Sequence, residues 1–188
     1  MNRVIALGLI AALLVDAGVA ETMLIDDFND PGGLSPLGTP WRLVTDRVMG
    51  GVSTGRIDFE KIQGRRCLCL HGDVSLDNNG GFIQVALDLS PEGALDAGAF
   101  EGIRLVVRGN GASYNLHLKT VDVRRPWQSY RSSFSTGPEW REMQLPFSGF
   151  VPYRIDVPLD LRKLRRLGIV AIGSTMAAEL CVAEIGFY

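Results

Sequence analysis

The sequence predicts an all-β sandwich of jelly-roll type, on three observations. Strand-length alternations of apolar and polar residues recur along residues 21–188, turn-forming clusters separate them, and a single segment carries helical spacing. The candidate strands are 23–28, 55–60, 67–72, 81–88, 102–108, 114–121, 128–135, 141–146, 167–172 and 179–187. Between them stand Asp77-Asn78-Asn79-Gly80-Gly81, Gly109-Asn110-Gly111 and Thr136-Gly137-Pro138. These residue types supply positive φ, a fixed φ or side-chain-to-backbone bonds in tight turns. That many strands in one domain require two sheets packed face to face, with protected edges.

The first and last segments, 23–25 and 180–185, are both apolar. Pairing them would bring the chain ends together, as jelly rolls do. The helical candidate starts at Asp160, a capping residue type, and carries Leu161, Leu164 and Leu167 at threefold spacing before Gly168. The basic run Arg162, Lys163, Arg165 and Arg166 then lies on that turn. It reads first as a solvated face and second as a docking patch for an acidic partner or an anionic membrane.

Residues 1–20 differ from the rest. Arg3 is followed by an uncharged apolar run over 4–15 and by the small residues Gly18-Val19-Ala20. This is the pattern of a secretory signal peptide, and it predicts a periplasmic or secreted domain over 21–188. The run is short for a bilayer span, which takes about 20 residues, so no transmembrane segment is expected after cleavage. A net charge of −2 makes no global case for nucleic acid. Cys67 and Cys69 sit two apart on one candidate strand, at the limit of disulfide geometry. Two readings stand: a bridge from one of them to Cys181, or three small buried apolar residues. One C-x-C with a distant cysteine and two histidines is not a zinc pattern.

The chemistry-bearing residues favour binding over catalysis. His71 and His117 are the only histidines, and none of Ser53, Ser75 and Ser148 stands in a nucleophile elbow, so a jelly-roll hydrolase is the weakest reading. Asp26 and Asp27 are adjacent on a strand and point to opposite faces. A calcium ion shared with Glu184 would lack a dedicated ligand loop, and Gly50-Gly51 lacks the Walker lysine. No catalytic residue, metal or cofactor is therefore expected. On the segment 114–120, Tyr114, Leu116, Leu118 and Thr120 share one face, while Asn115, His117 and Lys119 form a polar stripe on the other. Trp127 and Tyr130 follow, aromatic residues able to stack on sugar rings or anchor a partner protein. Trp41, Trp127 and Trp140 read equally as core-edge residues, and His117 as an interior residue if a loop or the N-terminal segment covers that face.

A second candidate surface is the octapeptide Asp-Arg-Val-Met-Gly-Gly-Val-Ser at 46–53. Its double glycine predicts a sharply bent loop flanked by Asp46, Arg47, Met49 and Ser53. The turn 79–82, with Asn79 and Phe82, needs similar close backbone approach. A protein partner or a carbohydrate is the expected ligand of these surfaces.

Taken in order, these marks resemble the complex I intermediate-associated protein 30 family. They are Asp26-Asp27-Phe28, Trp41 leading into TDRVMGGVS at 45–53, NNGGFIQV at 78–85, Tyr130, Phe134, Trp140 and LPFSGF at 145–150. The resemblance implies a galactose-binding-like β-sandwich. It also implies a role through protein contact, since mitochondrial members look like assembly factors for respiratory complex I. The family's two strongest marks, 46–53 and 78–85, are expected to lie side by side, with Arg47 fixing the loop through charge-assisted bonds.

Overall fold

Short, largely apolar segments separated by turns form twelve strands among the described residues. The computed structural model describes residues 21–30 and 32–188, so the export signal read from residues 1–20 lies outside the described residues. The strands are β1 (Met23–Asp26), β2 (Arg42–Thr45), β3 (Thr54–Ile62), β4 (Arg65–Val74), β5 (Phe82–Asp88) and β6 (Gly102–Gly109). They continue as β7 (Ser113–Thr120), β8 (Ser129–Ser135), β9 (Arg141–Pro146), β10 (Val151–Tyr153), β11 (Leu164–Ile172) and β12 (Met176–Phe187). Sheet I has the order β3-β4-β12-β6-β9, with β1 also paired to β12, and sheet II has the order β10-β8-β7-β11-β5-β2. All pairings are antiparallel. Each strand expected from the sequence is present. The first and last strands pair as expected, with Met23 opposite Phe187 and Leu24 opposite Gly186.

The inner faces of the two sheets make one core. Sheet I supplies Leu68, Leu70, Ile103, Leu105, Val182 and Ile185. Sheet II supplies Ile83, Val85, Tyr114, Leu116, Leu118 and Ile169. Full burial of such side chains contributes about 1.5–3 kcal/mol each before chain entropy is counted. Trp41 is also buried, and its indole N–H donates to Asp26 Oδ2 at 2.7 Å. Asp26 is thus turned inward, its carboxyl pushed up by burial, while Asp27 stays on the outer side. The paired acids are split between faces, as adjacent strand residues must be.

Two strands and one helix differ from the sequence reading. The strands β2 and β10 are four and three residues long and form the two edges of sheet II. Short edge strands, one of them carrying Pro152, limit edge-to-edge pairing and leave too few residues for a legible alternation. Asp160 does accept from the Arg162 N–H at 3.1 Å, but the turn it caps covers only Leu161–Lys163. Leu164 already belongs to β11, and Gly168 lies inside that strand rather than ending a helix. A β-bulge between Leu164 and Arg166 explains the misleading spacing. The extra residue lets Leu164 and Leu167 both face the core three positions apart. Three further 3-10 turns lie at Asp46–Met49, Asp77–Asn79 and Phe147–Gly149.

The cysteine alternatives resolve to a bridge. Cys69 and Cys181 face each other across β4 and β12 and form a disulfide, while Cys67 is a buried free thiol. All three lie on the outer face of sheet I with Val106, Ala183 and Trp140. The bridge spans a sequence separation of 112 residues. Closing so long a loop restricts the unfolded chain, an effect worth roughly 2–4 kcal/mol. Cys69→Ala and Cys181→Ala should each lower the free energy of unfolding by about this amount. Because both delete one bond, the double variant should lose little more than either alone, which denaturant titration without reductant will show.

Candidate functional site

The octapeptide and the second glycine turn meet at one buried carboxylate. Asp46 is fully buried at the start of its 3-10 turn. Its Oδ1 accepts from the Ser53 N–H at 3.0 Å, and its Oδ2 accepts from the Ser53 hydroxyl and from the Gly81 N–H at 2.6 Å. The Phe82 N–H lies at 3.4 Å from the same oxygen. Ser53 extends the link, its hydroxyl accepting from the Ser75 N–H at 3.0 Å. The glycines follow from this packing: a Cβ on Gly51 or on Gly80 would overlap the Asp46 carboxylate. Gly50 is in the left-handed region at φ 90° and turns the chain out of the 3-10 turn. Burial pushes the Asp46 carboxyl up, but the Ser53 hydroxyl and the Gly81 and Ser53 N–H groups outweigh it and hold it below the ordinary carboxylate range.

This clasp divides the first set of candidate residues. Asp46 and Ser53 are interior supports, whereas Arg47, Met49 and Asn79 are exposed. Arg47 does not fix the loop. Its backbone N–H reaches the Thr45 hydroxyl at 3.4 Å, and no side-chain bond of Arg47 occurs among the described residues. Asp46 performs the role the sequence reading gave to Arg47, because only a buried acceptor can collect N–H groups from both loops. The loop carries the exposed apolar residues Val48 (73 %), Met49 (53 %) and Val52 (42 %), and Leu76 (52 %) is exposed on the segment that leads into the second glycine turn. Phe82 is half-buried, on the outer face of sheet II opposite Ile172.

The stripe on β7 lies on the outer face of sheet II, as its alternation requires. Asn115 is half-buried and accepts from the Ser133 hydroxyl at 3.0 Å. Lys119 is half-buried, with its ammonium on the Pro126 carbonyl. His117 departs from the expected exposed donor. It is buried, paired across the strands with Arg131 on one side and Gly168 on the other. Burial and the charges of Arg131 and Lys119 push its pKa down to about 3, so the imidazole is neutral. Its Nε2 has no hydrogen-bond partner among the described residues.

The aromatic pair separates. Trp127 is 47 % exposed on the loop beside Lys119, with Arg125 6.0 Å from its ring. Tyr130 is buried on the core side, its hydroxyl bonded to the Val157 and Pro158 carbonyls at 2.7 and 3.1 Å. Strand parity is the reason: Ser129, Arg131 and Ser133 take the outer face of β8, so Tyr130 cannot stack on a ligand there. Tyr153 on β10 takes that place, opposite Ser129 and partly exposed, with the Arg131 guanidinium 3.4 Å from its ring centroid. The loop is tied to this edge by Gln128, whose amide donates to the Arg154 carbonyl at 2.9 Å.

Other polar clusters are mostly paired internally, though His71 Nε2 and Trp140 Nε1 have no hydrogen-bond partner among the described residues. A cavity of about 520 Å³ is lined by Asp122 and by residues 157–163, where Lys163 pairs with Asp122 and Asp160 at 3.4 and 3.5 Å. A second, of about 320 Å³, holds Asp27 and Glu184, but Arg104 is bonded to Glu184 and supplies the positive charge there. The sulfurs of Cys67, Cys69 and Cys181 converge, yet two of them form the disulfide and offer no thiolate. His71 lies on sheet I beside Glu60 at 3.6 Å, so the two histidines sit on different sheets.

The clasp generates two expected outcomes. Asp46→Ala should destabilise by about 3 kcal/mol or more, since it strands buried N–H groups at about 1–3 kcal/mol each, whereas Arg47→Ala should change the unfolding free energy by less than about 0.5 kcal/mol. The acid limb of the stability curve should also respond. A carboxyl held below its unfolded value of 3.8 contributes stability that is complete above that pH and lost as pH falls through the folded value. Asp46→Asn should therefore flatten the stability change in that acid window, as chemical denaturation at stepped pH will measure.

Comparison with known proteins adds to this geometry. The sequence pattern of the family described as complex I intermediate-associated protein 30 matches residues 27–182. The family 11 carbohydrate-binding module of a cellulosomal cellulase of Clostridium thermocellum superposes with a TM-score of 0.71 at 13% identity, covering 90% of this chain and 95% of that one. A second structure of a Clostridium thermocellum family 11 module, in complex with a β-1,3-1,4-mixed-linked tetrasaccharide, gives 0.67 at 15% identity over 88% and 94%. A family 30 carbohydrate-binding module gives 0.56 at 13% identity over 72% and 83%. No curated protein sequence matches the chain significantly.

Proposed function

The chain belongs to the complex I intermediate-associated protein 30 family, and from that premise we propose that it is a non-catalytic binding module that holds a glycan on the outer face of sheet II. The observation that carries this reading is the composition of that face. Asn115, Lys119 and Arg131 present polar groups on neighbouring strands, and the exposed rings of Trp127 and Tyr153 border them. Rings beside fixed polar donors suit a sugar, whose faces are apolar and whose rim is hydroxylated. The fold shared with carbohydrate-binding modules, one of them carrying a tetrasaccharide, supports the same reading. The segment 1–20 supports export to the periplasm or beyond, where polysaccharides are met.

A second reading, contact with a protein, is favoured by the exposed apolar residues Val48, Met49 and Val52 on the loop and Leu76 on the neighbouring segment, two segments that Asp46 ties together. It accords with assembly or maintenance of a membrane-associated complex, the role the family resemblance implies. Surface substitutions separate the two. Affinity electrophoresis against a polysaccharide panel should show retardation of the protein. Trp127→Ala and Tyr153→Ala should each weaken it roughly tenfold, or about 1.4 kcal/mol, without changing the melting temperature. Val48→Asp with Met49→Asp should leave glycan binding intact. Binding that survives loss of both rings but not the loop substitutions would transfer the function to the loop tip.

A further inference from the structure

We infer that the glycan is acidic: a polysaccharide whose carboxylates meet the cations of sheet II. The inference rests on the glycan reading above and names its ligand class. The bulge in β11 splits the basic run of the sequence. Arg162 and Lys163 stay on the 3-10 turn and pair with Asp160 and Asp122, while Arg166 enters the strand beside Lys119. On this face Asp88 is shared between two arginines: Arg166 binds it at 2.6 and 3.0 Å, and Arg42 lies at 3.6 Å. Among the described residues no carboxylate pairs with Lys119, Arg131 or Arg165. A chain of net charge −2 thus gathers unneutralised cations on one sheet face.

Such a cluster is costly without an anion, because half-buried like charges repel and are poorly screened. The strain is legible in Lys119, whose pKa is pushed down to about 8 by burial and by Arg166, Arg165 and Arg131. Beneath this face His117 Nε2 and Arg165 Nε have no partner among the described residues, as is also the case for His71 Nε2 and Trp140 Nε1 at sheet I. A ligand supplying carboxylates would neutralise the cations. Its sugar-ring faces would meet Trp127 and Tyr153. A uronic-acid polymer carries both groups.

The test is calorimetric titration of the protein with a galacturonic-acid oligomer, a neutral mixed-linked β-glucan oligomer of equal length, and a single-stranded oligonucleotide. The inference expects the uronate to bind at least tenfold more tightly than the neutral glucan, with affinity falling about tenfold between 50 and 300 mM salt. Lys119→Gln and Arg165→Gln should each weaken uronate binding at least fivefold. Both should keep or raise the melting temperature, since they relieve repulsion; a purely structural cluster would lose stability instead. Equal or tighter binding of the neutral glucan overturns the acidic class and leaves the glycan reading standing. Tightest binding of the oligonucleotide also overturns it, and no binding of either saccharide overturns both.

Discussion

The buried Asp46 carboxylate is the interaction on which the end of the sandwich depends. It sits where β2 hands over to β3, and its oxygens take N–H groups from Ser53 and Gly81. Those residues belong to segments that precede β3 and β5, strands of different sheets. A single ionised side chain therefore joins the sheets at this end, where a backbone ladder cannot. The glycines around it follow by exclusion, since any side chain at 51 or 80 would displace the acid. The charge is tolerated in the interior because its hydrogen bonds replace lost hydration.

With that corner closed, the outer face of sheet II is set by register alone. Arg131, His117 and Gly168 fall in one row across β8, β7 and β11, and Ala86 continues it on β5. Small residues at the β11 and β5 positions leave the long cationic side chains to dominate the surface. The neutral His117 beneath them shows how strongly burial and neighbouring charge combine at this place. Sheet I differs: its outer face carries the disulfide, Cys67 and Trp140 in a small apolar cluster.

The long strands were legible because β7 alternates over most of its length, while β4 and β12 each carry a continuous apolar run of strand length. The strands β2 and β10 were not, since three or four residues carry no period. The bulge after Leu164 imitated a helical step, and that one error hid the placement of Arg166 beside Lys119. Close approach at Gly50-Gly51 and Gly80-Gly81 was readable from composition, but not that a carboxylate was the group approached. Arg47 was expected to anchor the loop through charge-assisted bonds; burial, which a sequence does not display, decided for Asp46. Tyr130 was grouped with Trp127 by proximity in sequence, and the alternation of β8 moved it into the core. The same alternation puts Ser129, Arg131 and Ser133 on the outer face, but only the register of β7 and β8 sets Arg131 opposite His117.

The account's central claim is that ligand is held by the outer face of sheet II and not by the loop tip or by sheet I. Backbone and side-chain NMR shift mapping during titration with a bound oligosaccharide tests it most directly. The account predicts that the largest perturbations fall on Asn115, His117, Lys119, Arg131 and Arg166 and on the ring signals of Trp127 and Tyr153. Signals of Cys67, Cys69 and Trp140 should stay in place. Perturbations centred on Val48, Met49 and Leu76, or on sheet I, with sheet II unmoved, would contradict it.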